Sequence, residues 1–182
     1  MSISEIMYDL AKDSGSDQGR EWIEIINRGS KTDVSAWRLF EQGVNHRITA
    51  VKGSGALSSG EYAVIADDPA AFLSDWPDYS GALFGSSFSL SNSGELVELR
   101  DGDLKTQDSV TYSANWGADG DGNSLQLYMG SGSWIAAPPT PGLPLSGTLS
   151  PRVEPQEAYT EEDSDSAVEK IKPLQAVISS VS

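Results

Sequence analysis

Between residues 3 and 142, apolar and polar positions alternate in short runs that are broken every 8 to 15 residues by clusters of Gly, Ser, Asp and Asn. The runs are ISEIMYDL, EWIEIIN, VSAWRLFE, HRITAV, EYAVIAD, GELVELRD, QDSVTYS, SLQLYM and SWIAA. In EWIEIIN a period of two sends Trp22, Glu24 and Ile26 to one side and Ile23 and Ile25 to the other. GELVELRD sets Leu96, Glu98 and Arg100 against Val97 and Leu99 in the same way. Nine short strands separated by turn chemistry predict an all-β, antiparallel sandwich rather than a parallel sheet. One segment departs from the pattern. DDPAAFLSDW, residues 67 to 76, places Asp and Pro ahead of helix-tolerant residues and predicts one helical turn, a connector outside the core. No period of 20 to 50 residues is present, which removes a repeat architecture.

The pattern stops after Gly142. All five Trp precede residue 143, and Tyr159 is the only aromatic beyond Gly142. Residues 143–182 carry Pro144, Pro151, Pro155 and Pro173 with the acidic run EEDSDS, a composition that buries too little apolar surface to offset the entropy of ordering. The chain is therefore read as a β-sandwich over 3–142 followed by a flexible acidic linker or tail over 143–182. AVEKIKPLQAVISSV has some helical spacing, but Pro173 interrupts it, and it is read as part of the tail.

Charge narrows the range of partners. The 27 acidic and 12 basic residues give a formal charge of −15 with no basic stripe, which argues against nucleic acid and anionic membranes, both bound mainly through Lys and Arg. The absence of cysteine excludes disulfides, thiol chemistry and Cys-ligated zinc. No stretch approaches the roughly 20 apolar residues of a membrane span, and MSISEIMYDL has neither the basic nor the apolar region of a signal peptide. The immediate start of an alternating segment after Met1 and Ser2 is consistent with a fragment cut at a domain boundary.

NWGADGDGNSLQL, residues 115–127, is the first candidate for chemistry. An EF-hand loop needs oxygen ligands at positions 1, 3 and 5, a glycine at 6 and a glutamate at 12. Counting from Asp119 places Asp121 and Asn123 correctly but puts Ser124 and Gly130 where the glycine and glutamate belong. A tight turn into the following strand is the favoured reading, with a calcium-stabilised module as the alternative. Asp67 with Asp68, and Asp101 with Asp103, lie in turn-like segments and are read as solvated loop acids, not as an acid-base pair. His46 has no Cys or His at ligand spacing, and no Gly-x-Ser-x-Gly elbow accompanies the serines. No catalytic residue, metal ligand or cofactor is assigned. Trp76, Tyr79, Phe84 and Phe88 remain, in the long connection from 68 to 89. They either plug the end of the sandwich or form a surface patch that docks a partner, and as a patch they are the binding-site candidates.

The ordered set ISEIMYD, REWIEIINRGSKTDVSAWRLFEQG, GALSSGEYAVIADD, SFSLSNSGELVELRDGD, QDSVTYS, GADGDGNSLQL and SWIAAPPTPG resembles the lamin-tail domain family over about residues 3 to 142. GADGDGNSLQL and PPTPG look like its prokaryotic branch. The resemblance implies an immunoglobulin-like sandwich with Trp37 as a core aromatic. Asn27 and Gly29 are residues that tolerate a left-handed turn at a strand end, Gly60 would open the next hairpin and SNSGE would form a tight turn. It also implies a non-catalytic binding or tethering module, secreted or in the cell envelope. A monomer with a protein or peptide partner is expected, with a glycan as the second ligand class and an accessory domain of a hydrolase as the alternative role.

Overall fold

The computed structural model describes residues 1–145, and the first of the chain's two units runs Met1–Ser146. The strands are β1 (Ser2–Met7), β2 (Trp22–Ile26), β3 (Thr32–Asp33), β4 (Arg38–Glu41), β5 (Val44–Arg47), β6 (Thr49–Lys52), β7 (Ala56–Leu57) and β8 (Tyr62–Ala66). After helix α1 (Pro69–Asp75) come β9 (Ala82–Gly85), β10 (Leu96–Arg100), β11 (Thr106–Thr111), β12 (Ser124–Tyr128) and β13 (Ser133–Ala137). A seven-stranded sheet in the order β13-β12-β1-β2-β8-β9-β6 faces a four-stranded sheet in the order β11-β10-β4-β5. A small β3-β7 ribbon lies beside them. The predicted immunoglobulin-like sandwich is the fold.

Both sheets turn their branched side chains inward. Ile3, Ile6, Ile23, Ile25, Ile65 and Leu125 of the large sheet meet Leu39, Val97, Leu99 and Val110 of the small one, with Trp37 in the same cluster. Each such side chain withdraws apolar surface worth roughly 1.5–3 kcal/mol from water. Tight turns hold the ends. Gly60 and Gly94 have φ of 79° and 115°, and a Cβ on Gly94 would stand 2.4 Å from the Tyr112 carbonyl oxygen. Asn27 differs from expectation, because neither it nor Gly29 takes a positive φ. Asn27 works through its amide, which donates to the Ser30 and Leu57 carbonyls at 2.8 Å and ties the strand end to β7.

Four expectations are corrected by the geometry. HRITAV is split between the two sheets: His46 and Arg47 end β5, buried Ile48 turns the corner, and Thr49 begins β6. In VSAWRLFE only the second half is a strand. The sandwich is not wholly antiparallel, since β8 and β9 pair in parallel through the crossover that holds α1. That helix is more than a connector, because its Phe72 is 1% exposed and packs on Trp22 and Tyr79 over the outer face of the large sheet.

Asp68 starts α1 by accepting from the Ala70 and Ala71 amides at 2.8 and 3.3 Å, with Pro69 in the first turn. Asp68→Ala is expected to cost about 1 kcal/mol, a drop of about 2–4 °C in the melting temperature by calorimetry.

Candidate functional site

The outer face of the large sheet is covered, and its two halves differ in chemistry. Over one half, α1 and its flanks bury Met7, Trp22, Val64, Ala66 and Leu83. Over the other, Ser4, Glu5, Glu24, Ser124 and Gln126 are all buried, and the segment after β13 closes on them. Glu5 pairs with Glu24 across β1 and β2. Glu5 accepts from the Ser124 hydroxyl and, at 3.0 Å, from the Thr140 amide. Glu24 accepts from the Ser4 hydroxyl at 2.8 Å and from the Gly142 amide. The Gln126 amide donates to the Pro138 carbonyl at 2.6 Å. These side chains latch the 138–142 strap to the sheet.

Burial pushes Glu5 up to about 7, against the hydrogen bonds from Ser124 and Thr140 that pull it down. Glu24 rises to about 8 for the same reason, with the Gly142 and Ser4 hydrogen bonds opposing and the Glu5 charge adding. Glu21, whose carboxylate accepts from the Leu90 amide at 2.9 Å, is also raised by burial to about 8. The cavity beside Glu5 and Glu24 measures about 10 Å³, room for no more than a single water molecule. A substrate does not fit there. The pair is a structural latch.

A larger opening of about 270 Å³ lies where α1, the loop after β1 and the strap meet. Met7, Leu10, Trp22, Trp76 and Pro139 supply its apolar walls, and Arg20 with Asp75 closes one side. Trp76 stands edge-on to buried Trp22, with ring centroids 6.4 Å apart at 84°. The Arg20 guanidinium donates twice to Asp75, at 2.8 and 2.9 Å, and once to the Ser14 carbonyl at 2.6 Å. The fork thus fixes the loop to the C-terminal end of the helix.

Of the four candidate aromatics, Trp76 alone reaches this cleft. Tyr79, Phe84 and Phe88 are 8%, 0% and 5% exposed, so the surface-patch reading does not hold for them. Phe84 lies on β9, a strand hidden in the weakly alternating connection, and points with Phe88 into the sandwich core. Tyr79 packs on Phe72, and its hydroxyl donates to the Ala82 carbonyl at 2.7 Å. They plug the structure rather than present a patch. The cleft residues that sequence reasoning did not single out include Leu10 and Arg20 of the loop between β1 and β2 and Pro139 of the strap, two segments far apart in the chain. Only the proline-rich PPTPG after the last strand hinted at a covering strap.

The other polar candidates have structural partners. Asp121 accepts from the Asn123 amide and side chain, both at 2.9 Å, while Gly117, Ala118, Gly120 and Gly122 all have positive φ. NWGADGDGNSLQL is a turn. Asp67 accepts from the Phe88 amide, and Asp101 accepts from the amides of Asp103 and Lys105. His46 Nε2 lies 2.9 Å from Glu41 Oε1. Among the described residues no three His, Asp or Glu side chains converge in an arrangement for a metal ion, and no helix is long and apolar enough to cross a membrane.

The molecule is a β-sandwich module whose cleft lies over the outer face of the large sheet, where β1 ends and β2 begins. The Lamin Tail Domain family matches residues 1–114, and the chain belongs to that family. The domain is itself non-catalytic. The match ends at Ala114, ahead of β12 and β13, which extend the large sheet beyond β1. No curated protein sequence and no solved structure matches the chain significantly.

Proposed function

We propose that the chain is a binding or tethering module of a secreted or surface protein from a prokaryote, and that it holds a protein or peptide partner in the cleft beside Trp76. The observation that carries this reading is the half-exposed indole at the mouth of an apolar opening, held in one orientation by Trp22. A pre-oriented aromatic loses little entropy on binding and is the commonest kind of interface anchor. At about 270 Å³ the cleft lies just below the roughly 300–1,000 Å³ of small-molecule sites, which suits one or two side chains of a partner. The turn GADGDGNSLQL and the strap sequence PPTPG support the prokaryotic assignment by their resemblance to that branch. The linker or tail expected over residues 143–182 lies, from residue 146 on, outside the described residues.

Selection of a random displayed peptide library on the full chain tests the reading. The selected peptides are expected to compete with one another and to lose at least tenfold in affinity on Trp76→Ala, with the melting temperature lowered by only about 2–4 °C. Peptides that bind the Trp76→Ala chain as tightly as the parent would place docking elsewhere.

A further inference from the structure

We infer that the cleft takes an apolar side chain presented on a Lys- or Arg-bearing peptide segment of a partner protein. The inference rests on the cleft being the docking site and adds the chemistry of what docks. Two loops border the opening, one through Ala11 and Ser14 and the other through Gly122. The first carries Asp9, Asp13 and Asp17 against Lys12 and Arg20, the latter already paired with Asp75, and the second carries Asp119 and Asp121. The two loops touch, since the Lys12 amide donates to the Gly120 carbonyl at 3.3 Å, and this sets the Asp9 carboxyl near Asp119. Burial pushes the Asp9 carboxyl up, and the adjacent Asp119 pushes it further, with only Lys12 opposing. A cation arriving beside this pair relieves the repulsion, whereas an anion adds to it.

The remaining occupants fit less well. The cationic head of Arg20 is spent on Asp75 and on the Ser14 carbonyl. The two charged side chains of the cleft, Arg20 and Asp75, are therefore engaged with each other rather than open to the hydroxyls of a glycan. A second copy of this chain brings the same net charge of −15 to the contact and is repelled. A segment with an apolar anchor flanked by basic residues meets both the walls and the rim.

The test uses the full chain and three synthetic peptides of equal length, alternating Leu with Lys, with Ser or with Glu, titrated by calorimetry. The lysine peptide is expected to bind at least tenfold more tightly than the glutamate peptide, and to weaken several-fold when salt rises from about 0.05 to about 0.5 M. Trp76→Ala is expected to reduce its binding at least tenfold. Asp119→Asn with Asp121→Asn is expected to weaken the lysine peptide several-fold and leave the serine peptide unchanged, since Asn keeps the turn. Equal, Trp76-dependent binding of all three peptides would overturn the basic-partner inference and leave the cleft reading standing. Lysine-peptide binding that survives Trp76→Ala undiminished, or no binding by any peptide, would overturn both.

Discussion

Raising the pH from about 5 to about 9 is expected to lower the melting temperature by on the order of 10 °C, a loss that is steepest between about pH 5.5 and 7 and levels off above about 8. Glu5, Glu21 and Glu24 sit at about 7, 8 and 8 in the folded chain, against 4.5 for the ordinary carboxyl. Over that window the folded state holds more protons than the unfolded one, so stability falls as pH rises. The contribution of these groups is fully present below 4.5 and is lost as the pH passes through about 7 to 8. Asp9 and Glu95 are also raised by burial and act in the same direction. One pKa unit corresponds to about 1.4 kcal/mol, so a single group moved this far is comparable with a sizeable part of a domain's stability. Glu5→Gln with Glu24→Gln is expected to flatten the profile, whatever it does to the absolute melting temperature. Stability that holds steady or increases from pH 5 to 9 would show that these carboxylates are solvated. The strap over residues 138–142 would then be loose.

Trp22→Ala is expected to cost about 3–5 kcal/mol in a urea titration. The ring is 2% exposed, edge-on to Phe72 at 5.9 Å and to Trp76 at 6.4 Å, and it forms the floor of the outer apolar cluster. Nothing nearby is free to collapse into the space it would leave, because the sheet lies below it and α1 above. Trp76→Ala, at a half-exposed position, is expected to cost only about 1 kcal/mol. The contrast separates a ring that holds the fold from one available to a partner. Similar costs for the two substitutions would mean that Trp76 is part of the core.

The inner layer of the sandwich was legible because β-branched residues at every second position have one way to be buried. The Ile23 and Ile25 side of EWIEIIN shows this directly. Its other side was only half legible. Trp22, Glu24 and Ile26 were correctly placed together, yet a carboxylate facing outward reads as solvated, and nothing local reveals that Gly142 returns from 118 residues away to cover it. The corner at Ile48 was hidden because a strand that changes sheets keeps its alternation through the bend. β9 was missed because it is only four residues long, follows Gly81 and ends on Gly85, and its parallel pairing depends on a crossover that periodicity does not encode. The same distance effect hid the cleft. Trp76 could be named from sequence, whereas its neighbours are assembled from a loop, a strand and a strap.

Docking on Trp76 is tested most directly by the indole N–H signals. The chain's five tryptophans give five such resonances, and Trp76→Phe assigns one of them. On titration with the lysine–leucine peptide, the Trp76 signal is expected to shift progressively to saturation, while that of Trp37, in the sandwich core, stays in place. A peptide that binds and leaves the Trp76 signal unmoved would contradict the account.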